Sequence, residues 1–166
     1  MAKKKAVITN AMRMLQSTKI DFEAIEYEYE GDIGDNFGET IAEIAGINPE
    51  ISFKTLVVRG DKKGIMVVCI PVCCEVDLKK LARLSGDKKT EMIHVKELLG
   101  LTGYIRGGVS PIGMKKKYPT YIHSSCMNNE KTAVSGGVCG LTLILNTDEL
   151  ISVCDAAVGD ITRESV

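Results

Sequence analysis

The sequence predicts an α+β fold built on a mixed sheet or partial barrel. Three observations carry this. Apolar, β-branched runs recur at 53–59, 65–72, 120–122, 132–135 and 141–145, without the one-for-one alternation with helices that a doubly wound parallel sheet needs. The stretch Gly136-Gly137-Val138-Cys139-Gly140 lacks the strand–turn–helix setting of a nucleotide loop, and no Walker sequence occurs. The 166 residues are 45% apolar and 26% charged, which suits one soluble domain over 1–166 with its own core.

The elements follow in order. Val7, Ala11, Met14 and Leu15 share one face of a helix over 7–18, capped by Thr9 or Asn10. Residues 22–29 alternate as a strand, and Gly31–Gly38 is a polar loop. Thr40–Ala45 is a short helix ended by Gly46, and Asn48-Pro49-Glu50 turns or starts a new one. Phe53–Arg59 and Ile65–Val72 form a hairpin across Gly60–Gly64. Asp77 caps a helix through Leu84, with Leu78, Leu81 and Ala82 inward. A short strand at 89–93 precedes a helix over His94–Leu99 closed by Gly100, and 104–111 reads as a strand breaking into a loop. Three further strands precede a last helix, capped by Asp148 and running to Ala157.

No apolar stretch approaches the ~20 residues of a membrane helix. Thr9, Asn10 and Arg13 interrupt the N-terminal segment, so no signal peptide is expected. The six cysteines include the adjacent Cys73-Cys74 and no C-x-x-C, which suits free thiols, mostly small core hydrophobes, in a reducing cytoplasm. His94 and His123 lie at no zinc-ligand spacing from a cysteine, so neither metal nor cofactor is expected.

The balance of 21 basic against 22 acidic side chains hides an asymmetry. Residues 54–131 hold fifteen of the basic groups and seven of the acidic ones, clustered at Lys62-Lys63, Lys79-Lys80, Lys88-Lys89 and Lys115-Lys116-Lys117. Such clusters are either the footprint of a polyanion partner or a solvated face without one. Aromatic residues are 5% and Trp is absent, which argues against a platform stacking many bases.

Three segments could carry chemistry. Lys54 opens an apolar strand; it is either an edge-strand lysine or a cation stabilising a developing oxyanion. Gly107-Gly108-Val109-Ser110-Pro111 is either a bend or a backbone that approaches a ligand without a Cβ in the way. Ser135-Gly136-Gly137 offers the same two readings with a hydroxyl added. No histidine neighbours Ser110, so no Ser–His pair is implied.

Taken in order, Phe53-Lys54-Thr55-Leu56-Val57, Asp77–Ala82, Thr102-Gly103-Tyr104, Gly107–Gly113, Lys115-Lys116, Pro119-Thr120 and Val134-Ser135-Gly136-Gly137 resemble the YbaK family. These are free-standing aminoacyl-tRNA deacylases related to the editing domain of bacterial prolyl-tRNA synthetase. The resemblance covers nearly the whole chain. It implies a mixed β-barrel-like sheet flanked by helices, with a pocket at its mouth. It also implies removal of cysteine mischarged onto tRNA(Pro), with prolyl-tRNA synthetase a further candidate partner. Lys54 matches the family's essential lysine and Gly107 the glycine whose backbone meets the substrate carbonyl. Tyr27, Phe37, Thr55 and Ser135 match pocket positions, with Gly108 and Ser110 beside them. Lys79, Lys80, Lys115, Lys116 and Lys117 would hold the tRNA. One departure is Val138-Cys139, where relatives usually carry Lys-Arg.

An aminoacyl ester is already activated, so orientation and a stabilised oxyanion suffice. A cysteinyl substrate brings its own thiol, which can attack the carbonyl and leave as a cyclic thioester. Water assisted by the tRNA 2′-hydroxyl is the alternative route. Rival readings are the same chemistry on Ala-tRNA(Pro) or a seryl or threonyl ester, a non-catalytic tRNA- or synthetase-binding module, and a redox-responsive protein using Cys73-Cys74.

Overall fold

The computed structural model describes residues 8–29 and 37–163. The expectations for Val7 and for the loop at 31–36 lie outside them.

The helices are α1 (Asn10–Ser17), α2 (Phe37–Ala45), α3 (Leu78–Ser85), α4 (Leu98–Thr102) and α5 (Thr147–Cys154). The strands are β1 (Phe22–Glu26), β2 (Phe53–Gly60), β3 (Gly64–Pro71), β4 (Thr90–Met92), β5 (Thr120–His123), β6 (Lys131–Ser135), β7 (Leu141–Asn146) and β8 (Ala157–Gly159). They form two sheets. One is antiparallel, in the order β1-β7-β6; the other is mixed, in the order β4-β2-β3-β5-β8, with β5 parallel to both its neighbours. A bridge between Ser52 and Ala133 joins the start of β2 to β6. The α+β class and mixed sheet are therefore as the sequence predicts.

Side-chain alternation divides the core across β2 and β3. Val58, Met66, Val68 and Ile70 face Leu81 of α3, with Ile161 beneath. The other face carries Phe53 and Cys69 into the main core with Leu143, Leu145 and Leu150, and Val57 against Tyr104 and Val109. Burying the Tyr104 ring pushes its pKa up to about 12, and its hydroxyl donates to Ile112 C=O at 2.6 Å.

The caps explain most element boundaries. The Thr9 hydroxyl accepts from Met12 N–H and donates to Gly136 C=O, fixing α1 to the loop after β6. Asp77 caps α3 through Lys79 and Lys80 N–H. Several boundaries differ from expectation. Met14 is exposed, so α1 buries only Ala11 and Leu15. β1 stops at Glu26, although Tyr27 N–H still donates to Gly140 C=O. α2 starts at Phe37 rather than Thr40. α4 runs through Gly100 and stops at Gly103, whose φ of +85° closes it. No strand forms at 104–111; two glycines and Pro111 leave that segment a loop. Asn146, not Asp148, caps α5, which ends when Asp155 turns left-handed (φ +49°), and the chain then adds β8.

One buried carboxylate holds the hairpin to α3. Asp87 accepts from Lys62 and Lys63 N–H, both at 2.8 Å, and from the Ser85 hydroxyl. Burial acts to raise its pKa, and these donated bonds outweigh that and hold it below the usual carboxylate range. A lowered folded-state pKa gives stability that is present above the unfolded value of about 3.9 and lost as pH falls through the folded value. We expect Asp87→Asn to cost roughly 1–3 kcal/mol at pH 7, the scale of a hydrogen bond to a charged group. Thermal unfolding should show the gap to wild type closing as the pH drops below about 4.

Candidate active site

β2 is the floor of a cavity of about 550 Å³, within the size range of small-ligand sites. Its wall takes Phe53 to Val57 from β2 with Ser52 just before it, Tyr27 just after β1, and Phe37, Gly38, Ile41 and Ala42 from α2. Leu98, Arg106, Gly107 and Val109 close one side, and Ala133, Val134, Ser135 and Thr142 the other. Segments more than 100 residues apart in sequence are thus brought to one hollow between the sheets.

Lys54, Thr55, Gly107, Tyr27, Phe37 and Ser135 all lie in this wall. Lys54 is half-buried, and its ammonium makes no hydrogen bond or ion pair among the described residues. It stands near Cys74, whose thiol burial and Cys73 push up while the Lys54 ammonium pulls it down. The Thr55 hydroxyl lies 3.8 Å from Cys69 Sγ. Gly107 has φ +90°, a left-handed backbone that glycine adopts without strain. Burial raises the Tyr27 pKa, with Gly140 and Thr142 as its hydrogen-bonding neighbours. Phe37 packs edge-on to Tyr29, with ring centroids 5.1 Å apart. Ser135 pairs with Thr142 across the β6–β7 ladder, and its hydroxyl accepts from Gly137 N–H.

Two expected site residues fall outside the wall. Gly108 donates its N–H to Ile105 C=O at 2.9 Å, so that donor is spent within the loop. Ser110 is wholly buried, and its hydroxyl accepts from Ile112 N–H; it shapes the turn at Pro111. Both positions serve the loop that carries Gly107. Sequence reading missed Thr142 and the apolar lining from Ile93, Leu98 and Val109. Thr142 looks like any strand threonine in isolation, and only its register against Ser135 brings it to the site.

The lysines separate into two kinds. Lys80 Nζ is held by Asp160 and by Thr162 C=O, each at 3.0 Å, and so it ties α3 to the C-terminal segment. Lys117 pairs with Asp155 at 2.9 Å in full solvent, where such a pair is worth little. Lys79, Lys115 and Lys116 are exposed. The cysteines also divide: Cys69, Cys126 and Cys154 are buried, but Cys73 and Cys139 are exposed. No helix is long and apolar enough to cross a membrane, and no cluster of three metal-ligating side chains occurs among the described residues.

Comparison with known proteins places this geometry. Residues 37–153 match the model of the aminoacyl-tRNA editing domain. A relative from Enterococcus faecalis (strain ATCC 700802 / V583), provisionally named Cys-tRNA(Pro)/Cys-tRNA(Cys) deacylase EbsC, is 44% identical over 99% of both chains. A solved structure described, again provisionally, as a trans-editing enzyme for prolyl tRNA synthetase superposes with a TM-score of 0.82 at 22% identity, covering 93% of this chain and 96% of that one. A second, titled a hypothetical protein, gives the same TM-score at 19% identity over 93% and 100%. The two structures speak to the fold, and the family model and the enterococcal relative to descent: the chain belongs to the aminoacyl-tRNA editing domain family, of which the YbaK-type proteins are a branch.

Proposed function

We propose that this protein is a trans-editing deacylase that removes cysteine from mischarged tRNA(Pro). Lys54 and the Gly107 N–H orient and stabilise the ester carbonyl. The observation that carries the reading is the meeting of those two groups in one cavity of about 550 Å³, with neutral hydroxyls from Tyr27, Thr55, Ser135 and Thr142 around them. The described wall holds no histidine, so no Ser–His pair is assembled there. Such a site supplies orientation and charge stabilisation, and the nucleophile comes from the substrate. The cysteinyl sulfur attacks its own carbonyl carbon and forms a C–S bond. The C–O bond to the ribose breaks, the thiol proton passes to the ribose oxygen, and a four-membered thioester leaves. The separate site acts as a second sieve on small amino acids that a synthetase cannot reject by binding alone. The enterococcal relative's name supports the cysteinyl substrate.

The test is release of cysteine from Cys-tRNA(Pro) beside release of alanine from Ala-tRNA(Pro). We expect the cysteinyl ester to be cleaved much faster. Equal rates would remove the thiol from the mechanism, and no release from either would point to a binding module. The exposed Lys115 and Lys116 are expected to contact phosphates. Lys115→Ala/Lys116→Ala should raise KM several-fold, leave kcat near wild type and flatten the salt dependence by roughly one to two in log–log slope. An unchanged KM at physiological salt would take these lysines out of the tRNA interface.

A further inference from the structure

The outer edge of β2 is paired at both ends and open between them. At its start Ser52 bridges Ala133, and from Val58 onward β4 takes over, with Ile93 N–H donating to Val57 C=O at 3.3 Å. Thr55, between them, has no main-chain partner on this edge among the described residues. The direction of its polar groups follows from register. In an antiparallel ladder, residues alternate between bonding their partner strand and turning away from it. Val72 N–H donates to Ser52 C=O at 3.0 Å, one step outside the Phe53–Pro71 pair, which marks that pair as non-hydrogen-bonded. Val67, opposite Val57, sends its N–H to Pro119 C=O at 2.8 Å, away from β2. Phe53 and Val57 therefore turn their main-chain groups away from β3, and Thr55, midway, does the same. Its N–H and C=O open onto the cavity that the residue lines.

We propose that this main-chain pair is the aminoacyl-binding element. The α-amino group of the substrate donates to Thr55 C=O, and the ester carbonyl accepts from Thr55 N–H. The inference rests on the deacylase reading and names how that site holds its substrate. An aminoacyl group in extended form presents an amine donor and a carbonyl acceptor on one edge, as a strand residue does. It can therefore pair reciprocally with a single residue of an open strand, by the same bonds that add a peptide strand to a sheet edge. The described wall also offers no carboxylate as a competing acceptor. Lys54 and Arg106 are the charged side chains in the described wall, and both are cations. An α-ammonium entering there finds its acceptor in a neutral carbonyl. Such recognition reads the part common to all amino acids and leaves the choice of side chain to the apolar wall.

The experiment removes each half of the pairing. Thr55→Pro deletes the N–H without deleting a ladder bond, a position where an edge strand tolerates proline. Thr55→Val keeps the N–H and the branched shape and removes only the hydroxyl. On the substrate side, 3-mercaptopropionyl-tRNA(Pro) keeps the thiol and lacks the α-amino group. Each rate is taken relative to uncatalysed loss of the same ester. We expect Thr55→Pro to lower kcat/KM for Cys-tRNA(Pro) by roughly 10–100-fold and well beyond the loss in Thr55→Val, which reads the contribution of the hydroxyl alone. Wild type should favour the cysteinyl over the mercaptopropionyl ester by roughly tenfold or more, the scale of one hydrogen bond to a charged group. Equal handling of the two esters by an active wild type overturns the proposal even if Thr55→Pro fails to fold, and so does a well-folded Thr55→Pro enzyme at full rate. A wild type that releases no acyl group overturns the deacylase reading itself, a result distinct from either.

Discussion

Lys54→Ala is expected to fold as wild type and to lose deacylation of Cys-tRNA(Pro) by roughly 10²–10³-fold, the range measured when one oxyanion donor is removed. The fold survives because Lys54 spends none of its charge on the protein: no hydrogen bond or ion pair to its ammonium forms among the described residues. Surface-like substitutions of that kind stay within about 0.5 kcal/mol. The loss should appear in kcat, since the ammonium is worth most when the carbonyl oxygen carries developing charge. A phosphate-binding lysine would instead raise KM and leave kcat alone. Single-turnover kinetics on Cys-tRNA(Pro), with thermal unfolding alongside, decide between the two. Activity within a few-fold of wild type would remove Lys54 from the chemistry.

Gly108→Ala should be damaging to both stability and activity, although Gly108 lines no part of the cavity. A Cβ there would sit 2.8 Å from Val138 Cα and carbonyl carbon and 2.9 Å from Cys139 N. These are backbone atoms, so no rotamer change relieves the clash. Overpacking of this kind costs typically 1–3 kcal/mol, or roughly 2–4 °C in Tm per kcal/mol for a chain of this length. The strain falls on the segment that positions Gly107, so kcat/KM should drop by an order of magnitude or more, as small misplacements of catalytic groups do. A Gly108→Ala protein with unchanged Tm would show that the loop shifts freely, and the rigid placement of Gly107 would then be wrong.

The sequence was most legible where local chemistry decides the outcome. The hairpin, the Asp77 cap and the alternating strand faces all follow from patterns within ten residues. It was least legible where a long-range partner decides. Nothing near Asp148 disqualifies it as a cap; Asn146 takes the role because β7 ends on it. The 104–111 segment looks like a strand by composition, yet it pairs with no strand, and Gly107 and Gly108 leave it a turn packed on 138–139. The site divides along the same line. Lys54, Thr55 and the Ser135 strand end were visible as motifs. Ser110 carries the same signal as a ligand-binding serine, but its hydroxyl is consumed two residues away by Ile112. The open edge at Thr55 had no sequence signature, because it depends on where β6 leaves β2 and β4 arrives.

The contact between Gly108 and the chain at 138–139 is made by main chain on main chain. The two side chains there differ: Val138 packs on the main core, and Cys139 is exposed. Cys139 points outward, and the loop keeps its shape whatever stands there. Position 139 can therefore change its chemistry without touching the main-chain contact behind it. A lineage can retune this part of the rim by single substitutions at that position, each invisible to the main chain that carries Gly107.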